Sequence, residues 1–145
     1  MGSIDQCEVY NRVLLRNDFR SANLHSALSM HQRLQNINYF RSGQCDLLVS
    51  TDVAARGLDI PQVDYVISHG LPGTICEFQH RAGRAGRGFR DGQVVALIAR
   101  DELLRKRLCE EELGLTMREL TEIQEYPQTT MKPINDYHIV TTLFH

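Results

Sequence analysis

The stretch Leu47-Leu48-Val49-Ser50-Thr51-Asp52-Val53-Ala54-Ala55-Arg56-Gly57-Leu58-Asp59-Ile60 decides the fold. It opens on a short continuous apolar run, Leu47-Leu48-Val49, without the alternation of a half-solvated strand. Such a run marks a strand buried on both faces, as in a parallel sheet. It passes directly into a loop of small and polar residues, and the loop after a parallel strand is where open α/β sheets hold ligands. A Thr hydroxyl, a Gly backbone and an Arg guanidinium in that loop suit a phosphate, and an Asp there can accept from a ribose hydroxyl.

Outward from this stretch the same grammar repeats. Tyr65-Val66-Ile67 and Val94-Val95-Ala96-Leu97-Ile98 read as further buried strands, and Arg20 to Leu24 as a short one. Between them lie helical signals. Gln6 to Asn17 carries Cys7, Tyr10, Val13 and Leu14 at helical spacing. Ser29 with Gln32 forms a capping box ahead of an apolar stripe of Met30, Leu34, Ile37 and Tyr39-Phe40, which Gly43 stops. Thr74 with Glu77 opens a helix into His80, and Asp101 caps one through Leu113 that Gly114 ends. Thr116 with Glu119 predicts a short acidic helix to about Glu125, and Ile139-Val140 fits either a late strand or a loose tail. Strands separated by helices pair in parallel through crossovers, so the expected fold is a three-layer α/β domain. No linker, repeat or low-complexity segment interrupts the 145 residues.

Composition narrows the function classes. No apolar run approaches the ~18 residues of a membrane span, and the N-terminus lacks the layout of a secretory signal. A soluble intracellular protein without membrane partners is expected. Cys7, Cys45, Cys76 and Cys109 are widely spaced with no C-x-x-C pair, which argues against a metal site or a disulfide framework and for reduced, mostly buried thiols. Fourteen arginines against two lysines favour bidentate contacts to phosphate.

A second segment, His80-Arg81-Ala82-Gly83-Arg84-Ala85-Gly86-Arg87-Gly88, is too rich in Arg and Gly for a core. Its glycines let the backbone approach a neighbour closely, and Arg84 and Arg87, three apart, point one way from a helical turn. Arginines so placed stabilise charge in phosphoryl transfer. The sequence contains no G-x-x-x-x-G-K-[S/T] loop. The residues by themselves therefore indicate an anion-binding α/β domain.

In order and separation the two segments resemble motifs V and VI of the DEAD-box RNA helicases. Leu71-Pro72 and Phe78 resemble the family's lead-in to motif VI. Leu24-His25-Ser26, Arg33 and Phe40-Arg41-Ser42-Gly43 resemble its motif IVa region. The resemblance covers roughly residues 6–112 and implies the RecA-like second lobe of such an enzyme over residues 1–125, with residues 126–145 as an extension or tail. It implies that Arg84 and Arg87 reach the ATP γ-phosphate, and that Asp59 and Gly57 contact the nucleotide. Arg33, Thr51 and Gly57 would touch the RNA backbone, and His80, Arg56 and Arg81 would couple the two lobes. ATP with Mg²⁺ held mainly by the first lobe is the implied cofactor. RNA backbone, as single strand or short duplex, and the N-terminal RecA-like lobe are the implied partners.

Departures accompany the resemblance. Met30 stands where motif IVa has Gln, with Gln32 a neighbouring substitute. Gly70 replaces the Asp of Asp-Leu-Pro, and Ala82 and Ala85 occur in motif VI. The family's first strand of this lobe should precede Gln6, so the mainly parallel sheet is expected to lack that strand and to leave an open edge. Without the first lobe, the chain alone is expected to be inactive. Leu24-His25-Ser26 resembles nucleolar members acting in ribosome assembly. Two other readings remain at this point: a non-catalytic RNA-binding or regulatory fragment, and the C-terminal lobe of a RecQ-like DNA helicase.

Overall fold

The computed structural model describes residues 3–55, 57–86, 92–120 and 137–144, with Ala55 and 137–144 described by backbone alone. The chain divides into two compact units, Met1–Pro61 and Gln62–His145, where the sequence suggested one undivided domain.

In the N-terminal unit, α1 (Ile4–Arg16), β1 (Ser21–Leu24), α2 (Met30–Arg41), β2 (Leu47–Ser50) and α3 (Asp52–Ala55) follow in order. β1 and β2 pair in parallel from Ser21–Leu47 to Leu24–Ser50, with α2 as the crossover. Leu24, Ile37, Ala54 and Ile60 form the core. Ser3 caps α1 by accepting from the Gln6 N–H, and the Ser29/Gln32 capping box of α2 forms in both directions. Two predicted stripes are narrower than expected. Val13, 39% exposed, points away from the face on which Cys7 is fully buried. On α2, Met30, Leu34 and Tyr39 are exposed, and the inward row is Arg33, Asn36, Ile37 and Phe40. Asn36 is tolerated there because its Nδ2 donates to the Asn23 carbonyl at 2.8 Å.

In the C-terminal unit, β3 (Tyr65–His69), α4 (Ile75–Ala82), β4 (Gly92–Ala99), a 3₁₀ turn (Arg100–Glu102), α5 (Leu103–Leu113), β5 (Arg118–Glu119) and β6 (Tyr137–Phe144) build a sheet in the order β3-β4-β6-β5. β3 and β4 are parallel. β6 lies antiparallel to β4 from Gly92–Phe144 to Ala99–Tyr137, and β5 pairs antiparallel with β6. The core gathers Leu71, Phe78, Ala82, Val94, Ala96, Ile98, Cys109 and Met117.

The α/β class with parallel crossover pairs is as expected; the antiparallel addition of β6 and β5 was not. β3 departs from the prediction of burial on both faces. Ser68 is buried, but Tyr65 and Ile67 are 62% and 65% exposed, because only one face of β3 is covered. The helix expected from Thr116 does not form within the described residues. Met117 is buried, its N–H donates to Glu110 Oε1 at 2.7 Å, and Arg118–Glu119 joins β6 instead; residues 121–125 lie outside the described residues. Among the described residues, β1 and β2 are the edges of the first sheet and β3 and β5 those of the second. All four cysteines are free, and Cys7, Cys45 and Cys109 are buried. No helix of the described residues is long and apolar enough to cross a membrane.

Candidate functional site

The loop after β2 begins where the β1/β2 ladder runs out. The Thr51 N–H still donates to the Leu24 carbonyl at 3.1 Å, and Thr51 is itself buried. After α3 the chain turns at Gly57, whose φ of +74° is left-handed. A Cβ there would meet nothing within 4 Å, so backbone conformation rather than crowding calls for glycine. The Ile60 N–H closes back on the Leu58 carbonyl at 2.9 Å, and Ile60 is buried in the core. Between the turn and this anchor Asp59 projects outward, its side chain 95% exposed. Arg41, the last residue of α2, donates from Nη2 to the Asp59 carbonyl at 2.7 Å and to Oδ2 at 3.1 Å. One turn into α2, the Arg33 Nε is buried with no hydrogen-bond partner among the described residues. Gln32, the neighbouring substitute for the missing motif IVa Gln, has its Oε1 committed to the Ser29 N–H at 3.0 Å.

The arginine segment of the C-terminal unit is built on α4. Thr74 caps it by accepting from the Glu77 N–H at 3.2 Å, and Phe78 and Ala82 bury its inner face. His80 is exposed. Arg81 turns back into its own unit, donating from Nη1 to Ser68 Oγ and to the Gly70 carbonyl. Beyond the helix, Arg84 is pinned by its main chain. Its N–H donates to the Arg81 carbonyl at 3.1 Å, and its carbonyl accepts from the Val63 N–H at 2.8 Å. Ala85 forms a parallel bridge to Val63, and the Gly86 N–H donates to the Val63 carbonyl at 2.7 Å. Gly92 abuts this bridge so closely that a Cβ on it would run into Ala85 and the Gly86 nitrogen. Arg56 and Arg87 lie outside the described residues.

The structure thus groups Arg33, Thr51, Gly57 and Asp59 in one unit and His80, Arg81 and Arg84 in the other. Two residues that sequence reasoning did not single out stand beside them. One is Arg41, which lies within Phe40-Arg41-Ser42-Gly43. The other is Glu102, whose carboxylate accepts from the Leu71 N–H at 3.0 Å and the Ala99 N–H at 2.9 Å. Glu102 sits over Gly70, where a Cβ would come within 3.2 Å of Oε1. No local pattern signals this contact, because 31 residues separate Leu71 from Glu102.

The family model of the helicase conserved C-terminal domain matches residues 2–89. The chain belongs to that family, and within it to the DEAD-box type. It is 37% identical over 118 residues to the ATP-dependent RNA helicase DBP8 of Candida albicans, covering 81% of this chain and 27% of that protein. It is 49% identical over 90 residues to the ATP-dependent RNA helicase DBP3 of Lodderomyces elongisporus, covering 62% of this chain and 17% of the relative. The chain therefore spans about a quarter or less of these relatives' length. Among solved structures, it matches a DEAD box protein from Methanococcus jannaschii with a TM-score of 0.74 at 28% identity, covering 80% of this chain and 32% of that one. It also matches the Mss116p DEAD-box helicase domain 2 bound to an RNA duplex, with a TM-score of 0.70 at 27% identity, covering 80% and 46%. The fold is that of the RecA-like C-terminal domains of DEAD-box proteins.

Proposed function

We propose that the chain works as the second motor lobe of an ATP-dependent RNA helicase, supplying arginine fingers for hydrolysis and part of the groove that holds the RNA backbone. The observation that carries this reading is the pinned main chain of Arg84. A finger must hold its charge in place before the reaction, since preorganised charge is what lowers the barrier. Hydrogen bonds on both sides of Arg84 and the bridge at Ala85 supply that rigidity. Arg87 follows as the second finger, with His80, Arg81 and Arg56 coupling the lobes. Asp59 and Gly57 take the nucleotide: the carboxylate is exposed and mounted between a left-handed turn and a buried anchor, which fits a ribose hydroxyl. Arg33, Thr51 and Gly57 face RNA phosphate and sugar, and the unpartnered Arg33 Nε favours that role. Bound ATP with Mg²⁺ would supply the phosphoryl group and its counter-charge, the metal being held mainly by the first lobe. Such contacts position a backbone and read no bases. A nuclear or nucleolar setting belongs to the same reading, on the likeness of Leu24-His25-Ser26.

The test uses a two-lobe protein with this chain as its second lobe. Arg84→Ala or Arg87→Ala lowers kcat by about 10³-fold or more with little change in ATP affinity, because the arginines act on charge that develops in the transition state. Arg33→Ala weakens single-stranded RNA binding and spares basal hydrolysis. Identical phenotypes for the two groups would overturn the assignment and favour a non-catalytic RNA-binding module.

A further inference from the structure

Arg41 closes α2 and lies outside the roles given above. We propose that Arg41 is the positioning residue that holds Asp59 ready for the ribose of a bound nucleotide; the proposal rests on the reading of Asp59 given above.

One guanidinium nitrogen, Nη2, donates both to the Asp59 carbonyl at 2.7 Å and to its Oδ2 at 3.1 Å. It therefore fixes the main chain and the side chain of one residue together. The rest of the loop is held by the left-handed turn at Gly57, by Leu58 packed against the core and by buried Ile60. The carboxylate keeps a second oxygen: among the described residues no donor reaches Oδ1. A carboxylate held by one oxygen and presenting the other is oriented for a hydroxyl donor.

The mount is rigid. α2 is closed at its start by the Ser29/Gln32 capping box, seated through Ile37 in the core, and tied to β1 by the Asn36–Asn23 hydrogen bond. Arg41 leaves that helix at its last residue, ahead of the left-handed Gly43. The pair itself is solvent-exposed, at 47% for Arg41 and 95% for Asp59. Exposed ion pairs add little to folding stability. The consequence of losing this one falls on the direction of the carboxylate rather than on the fold.

The experiment uses the same two-lobe protein and compares KM for ATP with KM for 2′,3′-dideoxy-ATP, which lacks the ribose hydroxyls. Asp59→Ala should remove the preference for ATP. Arg41→Ala should reduce that preference several-fold, acting on KM far more than on kcat, with the melting temperature moving by less than about 2 °C. Arg41→Lys should restore part of it, because an ammonium is a point donor without the guanidinium's fixed fork. If Asp59→Ala abolishes the preference and Arg41→Ala leaves it intact, the role of Arg41 is overturned and the ribose reading stands. If Asp59→Ala itself leaves the preference intact, the ribose reading fails and the role of Arg41 fails with it. A loss of preference in Arg41→Ala that tracks a fall in melting temperature shows a merely structural contact, and it too overturns the proposal.

Discussion

Glu110 shows how one carboxylate can hold a chain reversal together. It sits in the last turns of α5, accepting from Lys106 Nζ at 2.8 Å and from the Met117 N–H at 2.7 Å. Burial is the largest single influence and pushes its carboxyl up, but the Lys106 and Met117 donors together hold it below the usual value. Because the folded carboxyl titrates below its unfolded value of 4.5, the stabilisation is fully present above that pH and is lost as pH falls through the lower, folded value. Glu110→Gln is expected to cost about 1 kcal/mol at pH 7, with the difference from the parent chain closing under acid. Urea titrations at neutral and acid pH measure it, and an equal cost at both would exclude the charge as the cause. The same residue explains a misreading. Thr116 and Glu119 have the spacing of a capping box, but Met117 is held to Glu110 and Arg118–Glu119 pairs with β6, contacts that local pattern does not encode. Asp59 and Gly57 were legible because their chemistry and spacing lie within one loop. The partner of Asp59, Arg41, lies 18 residues away and was not.

At the scale of elements, two of the local capping signals survived, whereas the Asp101 cap and the Thr116/Glu119 box did not. The Ser29/Gln32 box and the Thr74 cap formed where the sequence put them, since each needs only its own first turn. Ser29→Ala should therefore destabilise the N-terminal unit by ~1 kcal/mol, read by chemical denaturation. A negligible loss would mean that tertiary contacts alone hold α2. The phase of α2 was misread because Met30 and Leu34 are apolar yet exposed, while Arg33 and Asn36 face inward. β6 was legible only as Ile139-Val140, because Tyr137–Phe144 becomes a strand through its ladder with β4, 40 residues away at the Ile98–His138 pair. β3 leaves Tyr65 and Ile67 exposed at the end of its sheet. An apolar strand edge invites pairing with another chain. The protein is expected to self-associate as concentration rises, and Ile67→Lys to shift it toward monomer with a stability change within about 0.5 kcal/mol. Sedimentation velocity decides this, and a parent chain monomeric at all concentrations would show that the edge is covered.

For the whole molecule, the distribution of chemistry over two units sets what the chain can do by itself. It carries the arginines proposed above for charge stabilisation, yet its sequence has no G-x-x-x-x-G-K-[S/T] loop to cradle a triphosphate. The isolated chain is expected to show no ATPase activity with or without RNA, in a phosphate-release assay with Arg87→Ala as the control for contaminants. RNA-stimulated turnover that Arg87→Ala abolishes would overturn that expectation. The class of the fold was readable because the parallel crossovers announce themselves as apolar runs between capped helices. The division at Pro61 was not, since no Gly- or Ser-rich linker marks it and the separate cores form from residues far apart in sequence.

The burial of three thiols has a practical corollary. Cys7, Cys45 and Cys109 are buried, and burial raises the pKa of each, which disfavours the reactive thiolate. Cys76 alone is exposed, in the first turn of α4, the helix that leads to Arg84. Within this chain a maleimide dye or a nitroxide thus has one exposed address, on the helix that leads to Arg84.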